Sequence, residues 1–282
     1  MNMSPLREFL NGAHRNMNFL VGGFIILTVL IVALFAPQIA PYRYDDAIRE
    51  DKLQAPNAAH PFGTDDFGRD MLSKVIYGTR ITLQIAVIGT VIQLGLGVII
   101  GILAGYFGGI VEKVLMYFAD LTWCVPGLIL ALAVVTILGK GLTNSIIAIS
   151  LVNWTQYARV VRAKTMAIKN QAFIETGIAF GEKPLSIMFR YILPNIVPAL
   201  IVLASMQLPG TIMSTTALSF LGLGSQPPSP DWGLALSNGM KYVSRGQWLS
   251  VYPGLALVYT VFGFNTLGEG LRDLLDTQMK SQ

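Results

Sequence analysis

Residues 81–107 run on without a single charged side chain. A helix needs roughly 20 apolar residues to cross the hydrocarbon core of a bilayer, and this run is long enough. Five more apolar runs accompany it. Residues 19–36 come first. Residues 114–138 hold one charge, Asp120. Residues 142–158 are short and partly polar. Residues 191–221 are uncharged but carry Pro194, Pro198 and Pro209. Residues 249–267 form the last run. Prolines inside such runs predict kinks, tolerated in a membrane where neighbours satisfy the freed backbone groups. Pro126 in "CVPG" predicts one in the third run. The expected fold class is an all-α membrane protein with six transmembrane helices.

Composition agrees. The chain is 53% hydrophobic and only 13% charged, against about 25% charged in a soluble domain, so the excess apolar surface faces lipid. No lysine-rich or aromatic-interleaved run points to nucleic acid. Cys124 is the lone cysteine and cannot close an intrachain disulfide; His14 and His60 are far apart, and no cluster has metal-ligand spacing. No metal site is expected. Arg7 and Arg15 precede the first run, as in a signal peptide. The run is longer than a signal core, however, and "FAPQIAPY" is a weak cleavage match, so it reads as a retained span.

Orientation follows the Lys/Arg bias. Arg159, Arg162, Lys164, Lys169, Lys183 and Arg190 lie between the fourth and fifth runs, which makes that loop cytoplasmic and puts both termini inside. The expected organisation is a cytoplasmic tail over 1–18, a first transmembrane helix over 19–40, and an extracytoplasmic segment over 41–79. A five-helix core over 80–270 contains the cytoplasmic loop 159–190, and a cytoplasmic tail covers 271–282. Segment 41–79 also holds Arg43, Arg49, Lys52, Arg69 and Lys74, offset by seven acidic residues (Asp45, Asp46, Glu50, Asp51, Asp65, Asp66, Asp70) that count little in the rule.

Gly97, Gly101, Gly105 and Gly109 recur every four residues and fall on one helix face, where they let another backbone come close. Packing within the chain and a seam with a partner membrane subunit are both open readings. Asp120 is costly at its depth and must face a bundle interior or an aqueous cavity. It either pairs with a nearby Arg or serves a transport path. "GTDDFGRD" (63–70) has the glycine spacing of a phosphate loop, but Arg69 replaces the lysine and Asp70 the Mg²⁺-binding hydroxyl, while Asp65 and Asp66 would repel phosphate. No nucleotide binding is assigned. If ATP drives this protein, another chain hydrolyses it.

The cytoplasmic loop is itself patterned. Residues 168–180 lack proline and predict a helix with Phe173, Ile174, Ile178 and Phe180 on its apolar side and Glu175 as its charge. Gly181 is placed to end it and Pro184 blocks its continuation. It could lie on lipid, although it lacks a basic face, or be offered to a cytoplasmic partner.

At these residues the chain resembles bacterial ABC-importer permeases, whose cytoplasmic loop has the form E-A-A-x-x-x-G-x(9)-I-x-L-P. Glu175 and Gly181 match, Leu193 and Pro194 match, Ile192 is one position off, and Thr176 and Gly177 replace the two alanines. The stretches 60–83, 217–233 and 252–276 resemble the dipeptide, oligopeptide and nickel branch, specifically its C-type permease, with Glu269 where Asp is more common. The resemblance covers nearly the whole chain. It implies the type I importer permease fold in the bacterial inner membrane, and Phe173, Glu175, Thr176, Gly177 and Gly181, with Leu193 and Pro194, as the coupling helix and its return. It implies a second homologous permease, two P-loop ATPase subunits that use ATP and Mg, an extracytoplasmic substrate-binding protein, and di- or oligopeptide cargo, with nickel chelates or glutathione as alternatives. The chain itself would bind no cofactor and hold no catalytic residue. A polytopic membrane enzyme would need an intramembrane nucleophile and base, and Asp120 alone does not make one. A self-contained carrier would show an internal repeat, and none is visible.

Overall fold

The structure, a computed structural model, describes residues 12–280; most of the expected tail 1–18, and positions 281–282, lie outside it. Helices dominate. In chain order they are α1 (Met17–Leu34), α2 (Ala36–Ile39), α3 (Met71–Phe107), α4 (Gly109–Cys124), α5 (Gly127–Leu138), α6 (Leu142–Lys169), α7 (Ala172–Ala179), α8 (Pro184–Ile187), α9 (Leu193–Phe220), α10 (Trp232–Met240) and α11 (Trp248–Lys280). Among the described residues no strand forms; one antiparallel bridge joins Thr64 and Asp70.

The bundle is organised around α3 and α6. They run parallel: a methyl group on Gly97 would meet Tyr157, one on Gly101 would meet Ala158 and Val161, and one on Gly105 would meet Thr165. The two backbones therefore approach along three turns where no other side chain fits. Gly109 does not belong to this stripe. It lies beyond the end of α3, with a φ of +55° and open space around it, and starts the next helix.

Because α3 and α6 are parallel, residues 108–141 must return the length of the bundle. They do so in two pieces. The expected single span over 114–138 is instead broken: α4 and α5 meet at 96°. Val125 is extended (φ −103°, ψ 133°) because a residue before proline is pushed out of the helical region, and Pro126 brings no N–H to continue the ladder.

α9 runs antiparallel to α3, with Thr211 packed on Gly89 and Ile196 in the same cluster as Ile102. α1 and α11 form a second antiparallel pair, in which Gly22 faces Leu267, Gly263 faces Ile25 and Gly270 faces Phe19. By length and composition, three helical stretches among the described residues can cross a membrane: Met17–Leu34, Met71–Phe107 and Pro184–Phe220. The bent pair α4–α5 makes a fourth. The expected fourth and sixth spans, 142–158 and 249–267, lie in α6 and α11, neither of which passes on those grounds. α6 carries Asn144, Asn153, Gln156 and Arg159, and its Ser145, Ser150 and Thr155 are buried against neighbours rather than shown to lipid.

The end of the bundle that carries the start of α3 is capped by residues 41–70 and 222–247. Trp232 donates to Val75 O (3.1 Å), Trp248 to Thr64 O (3.1 Å), and Phe62 stacks on Tyr252 at 3.9 Å. The 63–70 loop is built for this packing. A side chain at Gly68 (φ +78°) would strike Ile48 O at 1.8 Å. The Phe67 and Arg69 amides, which a phosphate loop would offer to its ligand, both donate to Asp65 Oδ1 (2.8 and 2.9 Å). Asp70 caps α3 by accepting from Ser73 N at 2.7 Å and also holds His60 at 3.0 Å.

The glycine contacts generate a direct test. Gly97→Leu must push Tyr157 away and is expected to cost about 1–3 kcal/mol or more. It should lower the thermal midpoint of the detergent-purified protein. Gly95→Leu, at a position with open space around it, should leave the midpoint unchanged.

Candidate functional site

At the opposite end of the bundle the chain builds a compact projection from 170–192. The helix expected over 168–180 forms as two pieces, because α6 continues past residue 158 to Lys169 before the chain breaks at Asn170 and α7 begins at Ala172. The first part of the stretch 159–190 is thus helical, as the last turns of α6. Lys169 closes α3 at this break, donating to Tyr106 O at 2.7 Å, one of the carbonyls a helix end leaves unpaired.

α7 ends as the glycine predicts. Gly181 takes φ +77°; its N–H donates to Ile178 O (2.9 Å) and the Glu182 N–H to Gly177 O (3.1 Å), the paired bonds of a left-handed helix stop. Pro184 then opens α8. The Glu182 carboxylate accepts from Tyr191 OH (2.7 Å) and Ser186 Oγ (2.9 Å), which tie the return arm to the turn and hold its pKa below the usual range. Residues Met188–Ile192 form a π turn, with Leu193 N–H reaching back to Met188 O, just before Pro194 removes a donor. Leu193 and Pro194 are therefore the root of α9, not part of the projecting helix.

The four apolar residues expected on one side of the helix separate. Ile174 is 1% exposed and enters a cluster with Ile102, Tyr106, Val161, Ile187, Met188 and Ile192. Phe173, Ile178 and Phe180 face out with Glu175 and Thr176, and Phe180 is 85% exposed. Leu185 and Phe189 of the return arm are exposed as well. α7 is thus anchored through Ile174, beside Ile187, Met188 and Ile192 of the return arm, into the cluster with α3, α6 and α9, and presents phenylalanines and a carboxylate outward. Ile187, Met188 and the Glu182–Tyr191 bond were not singled out from sequence, and Ile174 was named only as one of four apolar residues. The spacing of Glu182 and Tyr191 carries no periodic signal, since the turn between them is irregular.

A second feature lies on the open face of α4 and α6. Asp120 accepts from Arg159 Nη2 at 2.7 Å, and the same guanidinium sits 4.1 Å over the Trp123 ring. One turn further along α6, Arg162 pairs with Glu112, its Nε donating at 2.7 Å. Lys113, Met116 and Tyr117 complete a shallow concavity of about 460 Å³. Asp120 is not enclosed here; its side chain is 67% exposed.

Residues 97–281 match the family described as binding-protein-dependent transport system inner membrane component, and residues 4–56 match the N-terminal TM domain of oligopeptide transport permease C. The chain belongs to this family. The dipeptide transport system permease protein DppC of Alkalihalophilus pseudofirmus is 38% identical over 99% of this chain and 92% of that one. The glutathione transport system permease protein GsiD of Pectobacterium atrosepticum is 36% identical over 99% and 93%. In fold, the chain is similar to the MetNI methionine ABC transporter in an inward-facing conformation, with a TM-score of 0.59 and 20% identity over 72% of this chain and 97% of that one. The chain is accordingly a multi-pass inner-membrane ABC permease subunit with the type I importer fold. It works with an ATPase and a substrate-binding protein and is not itself the enzyme.

Ile174→Ala should free α7 from its anchor. Emptying that site costs about 2–5 kcal/mol, which should appear as faster amide exchange across 172–179. Phe180→Ala, on the outer face, should leave exchange unchanged.

Proposed function

We propose that this chain supplies half of the translocation pathway of an importer for di- and oligopeptides, and that α7 is its coupling helix. The single observation that carries the second part is the division of α7 into a buried anchor and a free outer face. Glu175, Thr176, Phe173 and Phe180 form a knob suited to a cleft in an ATPase subunit, and Ile174 passes any tilt of that knob to α3, α6 and α9. ATP and Mg would be bound by two such ATPase subunits, one for each permease.

The pathway follows from the charges on α4 and α6. Asp120 lies about 16 Å along α4. The Asp120–Arg159 pair lies within the span, where a charge faces protein or water rather than lipid, and Glu112 continues the same face from the first turn of α4. We assign the Asp120–Arg159 and Glu112–Arg162 face to the shared pathway, closed by a second, homologous permease. Six crossings are supported by the parallel alignment of α3 and α6, which requires α4 and α5 together to cross once. The basic residues beside α7 favour the cytoplasm for that end and for both termini, with the cap outside, where a binding protein would dock.

Short peptides are the cargo that the relatives favour, since one is named for dipeptides and another for glutathione. Competition against labelled dipeptide uptake, with glutathione and a nickel chelate as competitors, separates these cargoes.

Glu175→Arg is expected to abolish dipeptide uptake in cells while the permeases still co-purify as a folded pair. Normal uptake in that variant would overturn the docking model.

A further inference from the structure

A groove of about 470 Å³ opens on the outside of the bundle between α1 and α3. Its walls are mostly apolar, with Leu30 and Leu34 from α1 and Leu83, Val87 and Ile88 from α3, and Gln84 the one neutral polar side chain among them. Arg80 stands at one end of it, and the local sequence explains why. Pro37 has no N–H, so Ala33 O loses the donor that a continuing helix would supply; Gln38 N–H turns to Phe35 O, which leaves Leu34 O unpaired as well. Arg80 fills both vacancies, with Nε donating to Ala33 O at 2.6 Å and Nη2 to Leu34 O at 3.0 Å.

These partners are neutral carbonyls. They align the guanidinium, which also lies 5.9 Å from the Tyr77 ring centroid, but none of these partners carries a negative charge, and among the described residues no carboxylate pairs with it. A guanidinium has more N–H donors than the two it uses here. The result is a fixed cation with free donors at the mouth of an apolar channel, on the surface of a membrane protein, at the level where helix α1 ends. An acyl chain matches the channel, and a phosphate matches the remaining fork of the guanidinium.

We infer that the α1–α3 groove is a binding site for one anionic phospholipid, with an acyl chain along Leu83, Val87 and Ile88 and the headgroup phosphate on Arg80. The inference rests on the membrane location of the chain and is independent of which solute is transported. In the proposed topology the site lies in the extracytoplasmic leaflet. The lipid would tie the break after α1 to the start of α3, and so couple the first helix to the permease core through the bilayer itself.

The test is native mass spectrometry of the intact importer in detergent, exchanged against phosphatidylglycerol and phosphatidylcholine. The unmodified complex should retain phosphatidylglycerol preferentially. Val87→Trp fills the channel without touching any hydrogen bond and should release the lipid whatever its headgroup. Arg80→Gln should weaken phosphatidylglycerol by about tenfold, the loss of one charge-assisted contact, and narrow its preference over phosphatidylcholine, whose phosphate is offset by an ammonium. Unaltered lipid retention in Val87→Trp would overturn the inference. So would a photo-crosslinking side chain at Val87 that captures a polypeptide rather than a lipid, because the groove would then be a seam with another subunit.

Discussion

The close parallel packing of α3 on α6 is the constraint from which the rest of the molecule follows. Three glycines let the helices touch backbone to backbone, and tolerance there is small because a single added carbon would lie 2.3 Å from Tyr157. Parallel neighbours cannot be joined by a short loop. The intervening chain must recross the bundle, and the proline at 126 lets it do so as two angled helices. The break in the third run is thus a consequence of topology as much as of local sequence.

The same pair determines what the projection over 170–192 can transmit. α6 delivers α7 directly from its last turn, α3 ends alongside at Tyr106, and Lys169 ties the two ends together. Ile174 sits on Val161 and Ile102, so the projection moves with the α3–α6 unit rather than hanging from a flexible loop. The Glu182–Tyr191 bond closes the return arm onto α9. A rigid lever of this kind is what an ATP-driven subunit needs if displacement at its surface is to become displacement within the membrane.

Much of this was legible in advance. The apolar runs, the glycine stop at Gly181, the kink at Pro126 and the false phosphate loop each rest on a local rule: length, left-handed geometry, a missing donor, unfavourable charge. What was not legible depends on partners distant in sequence. Gly109 shares the spacing of Gly97, Gly101 and Gly105, yet a helix end falls between it and the others, and periodicity does not register a helix end. The apolar side of α7 could not be divided into anchor and knob, because that depends on where α3 and α6 pass beneath it. α6 and α11 were counted as spans although their polar residues weaken the apolar signal; those residues are paid for by burial against other helices.

By itself, then, the sequence determined that the chain is helical, lives in a membrane, carries a short stopped helix between two spans, and resembles importer permeases through motifs in the right order. These are properties of contiguous residues, set by hydrophobic length and backbone chemistry. Only the tertiary structure decided which glycines bear another backbone, that Asp120 is matched by Arg159, and that Ile174 alone fastens the projecting helix. It also decided that Arg80 completes the end of α1, forty-six residues away in sequence. Each of these is a contact between helices, and the energy that selects it does not exist until the helices have packed.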